Sequence, residues 1–292
     1  MERFTWEHLP ETTHRAFERE FGKVHTTSTT PAGLTVGVAA RVETADTTVF
    51  VKAVPRRSPA FLDYARERAV GQAIATTVPA PRLLWSHQDS WLTLVFEYIP
   101  GRQVDLSRDA DAVMAALRTM REPLRSSPVA ELRPITHKLD VFLAGARETV
   151  VSELQLLDHR DSYRVVLDDA DLADFQGTAL VHADPAASNL IHDGTSVWVV
   201  DWALSSVGAP WVDVALLIPP LIAAGYSPPN AQAWAEEHPD WAEAPTRAVD
   251  LLAVTRMLFL LGKIHAGPSW LAHGRRKALP AHQAWARYRL GV

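Results

Sequence analysis

The spacing of apolar positions changes near residue 100. Upstream, apolar and β-branched residues come in short runs broken by turn residues, which is the pattern of strands. Residues 36–42 and 49–54 are two such runs, and the Glu43-Thr44-Ala45-Asp46 link between them reads as a hairpin turn. A short first strand is expected at residues 23–27. Residues 59–75 have helical spacing, with Ser58 as N-cap and Pro59 in the first helical position, where a missing N–H costs nothing. Pro79 and Pro81 stop that helix. Residues 83–87 and 91–98 are two further strands, separated by Gln88-Asp89-Ser90. The expected order is β-β-β-α-β-β, closed by Pro100-Gly101 as a hinge. Downstream the spacing turns helical, over residues 110–120, 139–156, 210–224, 229–237, 245–265 and 280–290. Residues 178–202 interrupt it. They hold two apolar runs, Ala179-Leu180-Val181 and Val197-Trp198-Val199-Val200, around a polar loop, the pattern of one small hairpin. A polar loop mounted on a rigid scaffold is where function concentrates.

Composition narrows the chemistry. With 292 residues, 47% hydrophobic and 22% charged, the chain buries a core without staples and is too apolar to be disordered. It has no cysteine, which excludes disulfides, thiolate metal sites and a cysteine nucleophile. That absence, and an N-terminus without a basic stretch leading into an apolar run, make the cytoplasm the expected compartment. A net charge of −5 argues against nucleic acid as a partner. The longest apolar run, residues 214–225, is 12 residues long and contains Pro219 and Pro220. A bilayer span needs about 20, so no membrane partner is expected. The oligomeric state is left open.

The interrupting loop reads His182-Ala183-Asp184-Pro185-Ala186-Ala187-Ser188-Asn189, and Asp201 follows at the end of the next strand. The spacing His-x-Asp-x-x-x-x-Asn is that of a kinase catalytic loop. Phosphoryl transfer needs a carboxylate at the acceptor hydroxyl, and Asp184 serves. It needs oxygen ligands for Mg2+, and Asn189 with Asp201 serve. Only two asparagines occur, Asn189 and Asn230, so the placement of one in this spacing carries weight. The bland alternative is a turn rich in Asp and Asn beside a core histidine.

Upstream, Val49-Phe50-Val51-Lys52 puts one of only five lysines into an apolar strand. A strand lysine of this kind contacts ATP phosphates; the alternative is an edge-strand gatekeeper. Glu67 on the following helix is its candidate partner. The end of the last strand offers the backbone of Glu97 and Ile99 to adenine. The turn between the first two strands, with Gly33 as its candidate phosphate contact, lacks Gly-x-Gly-x-x-Gly.

Together these residues resemble the aminoglycoside phosphotransferase family of small-molecule kinases. The match runs through Leu180-Val181-His182-Ala183-Asp184, Asn189, Val199-Val200-Asp201-Trp202 and Gly208-Ala209-Pro210-Trp211-Val212-Asp213-Val214-Ala215. Upstream it covers Phe50-Val51-Lys52, Arg66-Glu67 and Phe96-Glu97-Tyr98-Ile99-Pro100-Gly101. The resemblance implies an α+β, protein-kinase-like bilobal fold. Its N-terminal lobe, residues 1–99, would hold a five-stranded antiparallel sheet plus a helix. Its C-terminal lobe, residues 100–292, would be mostly helical with a small catalytic hairpin. It implies ATP and Mg2+ as cofactors, a hydroxyl of a small molecule as acceptor, an aminoglycoside or other amino alcohol among the candidates, and Asp213 as a brace of the catalytic loop. Two departures stand out: Ala183 replaces a usual glycine, and Pro185 directly follows the candidate base, restricting Asp184 to extended backbone angles. Pro185 and the glycine-poor turn keep open a degenerate, pseudokinase-like ATP-binding protein, and the fold also leaves open a kinase of peptide Ser or Thr. A third class, a hydrolytic metal centre of His182, Asp184 and His192, leaves Lys52 and Glu67 unused. The acidic segment Glu236-Glu237-His238-Pro239-Asp240-Trp241-Ala242-Glu243 is a candidate contact for a cationic acceptor, or simply a solvated helix end.

Overall fold

The computed structural model describes residues 4–30, 37–152, 157–267 and 269–292. The chain forms two compact units, Met1–Arg102 with Ile191–Ser205, and Gln103–Leu190 with Ser206–Val292. Among the described residues no helix is long and apolar enough to cross a membrane.

The first unit is built on a five-stranded antiparallel sheet of β1 (Val24–Thr29), β2 (Val38–Thr44), β3 (Thr48–Pro55), β4 (Leu83–Gln88) and β5 (Trp91–Glu97), in the order β1-β2-β3-β5-β4. Alternation along β3 sends Val49, Val51 and Ala53 to one face and Phe50, Lys52 and Val54 to the other. The first face joins Val38, Ala40, Val42 and Val95 and is covered by Trp6, Leu9 and Phe17. Phe17 comes from α1 (Glu11–Phe21), a helix absent from the expected element order. The second face packs Val54, Leu92, Leu94 and Phe96 against Tyr64 of α2 (Phe61–Ala73). The α2 helix starts two residues beyond the expected position: Ser58 Oγ accepts from the Ala60 N–H at 3.2 Å and Ala60 is the residue that caps it.

The segment Ile191–Ser205 belongs with this sheet although it lies late in the chain. The Val199 N–H donates to Pro79 O at 2.7 Å, and Arg66 of α2 donates to Ala203 O at 2.6 Å. Gly101 is a glycine for a steric reason, since a Cβ there would lie 2.5 Å from His192 O.

The second unit follows β6 (Arg102–Gln103) and is mostly helical. It contains α3 (Leu106–Leu124), α4 (Ile135–Val151), α5 (Arg160–Asp168), α6 (Val212–Leu216), α7 (Ile218–Ala223), α8 (Pro228–Glu236), α9 (Thr246–Ala266) and α10 (Ser269–Leu290). Asp105 caps α3 by accepting from the Ser107 N–H at 3.1 Å. The apolar run expected as one helix over 210–224 is two helices, α6 and α7. Pro219 and Pro220 sit at the first turn of α7, where they lack no needed N–H, and cannot continue α6. Pro280 lies inside α10 rather than at its start. The α4 helix ends at Val151; the rest of the expected 139–156 helix falls largely outside the described residues.

The strands around the polar loop pair differently from the single hairpin expected. Here β7 (Ala179–Val181) pairs with β10 (Ser206–Gly208), whereas β8 (Leu190–His192) neighbours β9 (Val197–Val199). The loop is therefore held by a strand 25 residues beyond β7, and its apolar residues Leu180 and Val181 are sealed into the helical core.

Candidate active site

In the first unit, period-two alternation places Lys52 on the α2 face of β3, opposite Ala39 on β2 and Leu94 on β5. Its ammonium is 2.5 Å from Glu67 Oε2 of α2 and donates to Asp201 Oδ1 at 2.8 Å. Lys52 and Glu67 are 11% and 3% exposed at the side chain, Asp201 49%. Burial alone would strip the proton from Lys52, but the two carboxylates outweigh it and hold the ammonium firmly charged. Burial pushes Glu67 up to about 7, against the pull of Lys52 and of the Trp202 backbone N–H. Asp201 is set by its backbone. At φ 67° it occupies the left-handed region. The next residue, Trp202, is anchored by its indole N–H to Val199 O at 2.9 Å. The sequence puts Lys52 with Glu67; the structure adds Asp201 to the same ammonium, a contact that spacing did not reveal.

Glu97 ends β5 and Ile99 follows it, buried. The Glu97 N–H donates to Arg82 O at 2.9 Å and its carboxylate accepts from Arg82 Nε at 3.0 Å. Gly33 lies outside the described residues.

In the second unit, the loop after β7 is braced from inside. Asp213 of α6 accepts from the His182 N–H at 2.6 Å and from the Ala183 N–H at 2.8 Å. Burial pushes the Asp213 carboxyl up, opposed by His182 and by those two N–H groups. Ala183 adopts φ 62°, the left-handed conformation natural to glycine. Ala183 therefore carries backbone strain that a glycine would not, and Lys138 of α4 donates to Ala183 O at 2.7 Å. Asp184 stays partly exposed, its N–H donating to His182 Nδ1 at 3.3 Å. Asn189 spends its amide nitrogen on Asp184, on O at 2.9 Å and Oδ2 at 3.2 Å. That leaves Asn189 Oδ1 as its acceptor atom.

Asn189 Oδ1 in the second unit and the Asp201 carboxylate in the first are each oxygen donors, the type that Mg2+ takes. Among the described residues no group of three His, Cys, Asp or Glu side chains could hold a metal. His182 is sealed and its Nδ1 engaged, and His192 Nδ1 accepts from the Gly194 N–H at 3.0 Å. The hydrolytic metal centre of His182, Asp184 and His192 has no support.

Motif reasoning missed two cations of the second unit, Lys138 on α4 and Arg256 on α9. Neither belongs to a short motif. The scarcity of lysine was the one signal for Lys138. For Arg256 the signal was an arginine within the otherwise apolar face-to-face run of α9.

The fold has counterparts among solved structures. Choline kinase LicA from Streptococcus pneumoniae matches with a TM-score of 0.63 at 15% identity, covering 95% of this chain and 99% of that one. A thermostable aminoglycoside phosphotransferase APH(4)-Ia, crystallised with ADP and hygromycin B, gives 0.60 at 15% identity over 96% and 98%. The macrolide 2′-phosphotransferase MphH from Brachybacterium faecium gives 0.58 at 15% over 92% and 97%. At this identity the likeness establishes the protein-kinase-like fold. No curated protein matches the sequence significantly. The family model of the phosphotransferase enzyme family, APH, matches residues 37–252. That span is well over half of the 292 residues and contains Lys52, Glu67, Asp184, Asn189, Asp201 and Asp213. The chain belongs to the APH phosphotransferase enzyme family.

Proposed function

We propose that the protein transfers the γ-phosphoryl group of ATP to a hydroxyl of a small molecule. The observation that carries this is the Lys52 ammonium held 2.5 Å from Glu67 and 2.8 Å from Asp201. A buried, fully charged lysine oriented by one carboxylate and shared with a second is a device for gripping phosphate oxygens. Lys52 neutralises the ATP phosphates and Glu67 fixes its direction. The backbone at Glu97 and Ile99 meets the adenine edge. Asn189 and Asp201 would hold Mg2+, which would supply charge neutralisation on the phosphates.

Asp184 orients the acceptor hydroxyl and takes its proton. As that proton reaches the carboxylate, the acceptor oxygen bonds to the γ-phosphorus and the bond from that phosphorus to the β,γ-bridging oxygen breaks, releasing ADP. The Asn189 amide on Asp184 Oδ2 steadies that carboxylate, and Asp213 fixes the loop that carries it. Positioning and charge neutralisation supply the acceleration. Structural counterparts named as choline kinase and aminoglycoside phosphotransferase support an acceptor of small-molecule size. The test is Asp184→Asn, read by transfer of labelled phosphate from ATP to a panel of hydroxyl compounds. Loss of transfer with ATP binding intact is expected; undiminished transfer refutes the assignment.

A further inference from the structure

The acidic segment of residues 236–243 does not favour a cationic acceptor. Three of its four carboxylates already lie against arginines of α3 and the residue after it, Glu237 3.9 Å from Arg118, while Glu236 accepts from Gln232. Asp240 Oδ1 accepts from Arg121 Nε at 2.7 Å, and Glu243 Oε1 accepts from Arg125 Nη2 at 2.8 Å. The charge beside the catalytic loop is positive instead. Lys138 Nζ sits on Ala183 O, one residue before Asp184, and 5.8 Å from the centroid of the Phe142 ring. The Arg256 guanidinium lies over the same ring at 4.9 Å. Two cations therefore flank one aromatic shelf next to the candidate base.

Arg256 is the unusual member. It projects from α9, whose neighbours Leu252, Val254, Met257 and Leu258 are buried. Its Nε is buried without a hydrogen-bond partner, yet the residue as a whole keeps partial exposure. Asp184 attracts it electrostatically, while the Asp184 carboxylate takes its hydrogen bond from Asn189. His282 of α10 stands near it, and its Nδ1 is likewise buried and unpartnered. Burial and the Arg256 charge push His282 down to about 3, so it is neutral and retains one N–H to give. A guanidinium shelved on a ring and a neutral imidazole beside it form a donor set for an anion. Arg256 Nε and His282 Nδ1 are themselves sealed from solvent, so an oxyanion would meet the other nitrogens of the two side chains and offset the cost of the buried charge.

We propose that the acceptor carries a compact oxyanion, a carboxylate or a phosphate, which Arg256 and His282 hold so that its hydroxyl meets Asp184. This rests on the kinase function proposed above and names the acceptor class for it. The planar guanidinium fork matches either oxyanion in two parallel bonds. A cationic acceptor would be repelled by Arg256 and Lys138.

The experiment uses the purified full chain. Glycerate and 4-hydroxybutyrate form the carboxylate arm, glycerol 3-phosphate and glucose 1-phosphate the phosphate arm, and choline, kanamycin and glycerol the comparison. Binding is read by calorimetry and turnover by ADP release, for wild type, Arg256→Gln, Arg256→Lys and His282→Phe, with melting temperature reporting folding. One anionic arm binds and is turned over preferentially. Arg256→Gln raises KM for it by about ten- to a hundredfold with a smaller change in kcat, the loss expected for charge-assisted bonds. Arg256→Lys, which keeps the charge, recovers part of it. The inference is overturned if neither anionic arm binds, if choline, kanamycin or glycerol is turned over as well, or if the folded Arg256→Gln variant binds the anion like wild type. ATP titration of the same wild-type sample separates the two ideas. ATP binding without anion binding sinks the acceptor class alone, and anion binding without ATP binding sinks the kinase function.

Discussion

Replacing Lys52 with methionine tests the ammonium that links Glu67 and Asp201, because it leaves two carboxylates facing a vacated charge. At an effective dielectric of about 20, a pair at this range attracts by roughly 6 kcal/mol before desolvation is subtracted. Removing one partner of a buried pair typically costs about 3–5 kcal/mol. Here two features reduce that loss. Asp201 is half exposed and can turn to water. Glu67, at about 7 even with Lys52 present, escapes by taking a proton. The expected destabilisation at pH 7 is therefore about 1–3 kcal/mol. Its pH dependence is the sharper signature. Glu67 titrates well above its unfolded value, so its burial favours the folded state at low pH and the benefit is lost as pH rises through the folded value. In wild type that loss is complete just above pH 7. In the variant the folded protein keeps the proton while the unfolded chain has released it, so stability keeps falling by up to ~1.4 kcal/mol per pH unit. Urea denaturation of both proteins at pH 6, 7, 8 and 8.5 reads this directly. The gap between them should be nearly flat below pH 7 and widen above it. A gap independent of pH would refute the account of Glu67 as a buried carboxyl held ionised by Lys52.

Three further outcomes follow from the same geometry. Asp213→Ala removes the acceptor for both the His182 and Ala183 N–H groups and should cost about 2–4 kcal/mol and at least ~100-fold in kcat, checked by thermal melting and phosphate transfer. Ala183→Gly relieves the left-handed strain at φ 62° and should raise stability by up to about 1 kcal/mol, or roughly 2–4 °C, in a thermal melt. Asp193 accepts from the Thr195 and Ser196 N–H groups and from the Trp198 indole N–H at 2.6 Å, which hold its carboxyl well below the usual range. Its contribution is present above the ordinary aspartate value and is lost as pH falls through the depressed one, so Asp193→Ala should be less stable at pH 7 and show a shallower loss on acidification.

The β-β-β-α-β-β order was legible because the strands of the first unit alternate cleanly and prolines and turn residues punctuate them. The α1 helix escaped because only Thr13, Ala16 and Phe17 of its eleven residues are buried, too thin a stripe to stand out. The β7 partner escaped for a related reason. Ser206-Val207-Gly208 has one strand-favouring residue in three, and its place is set by tertiary pairing rather than by propensity. In the site, Asp184 and Asn189 were legible because both sit in one loop at a fixed spacing. Lys138 and Arg256 were not, since Arg256 reaches the Phe142 ring beside Lys138 from a position more than a hundred residues later in the sequence. Only packing brings them together.

The most direct test of the central claim is a calorimetric titration of ATP into the purified protein, with and without Mg2+, for wild type and Asp201→Ala. Micromolar binding by wild type that requires Mg2+, and its loss in Asp201→Ala, is the predicted result. Absence of binding, or binding indifferent to both Mg2+ and the substitution, would contradict it.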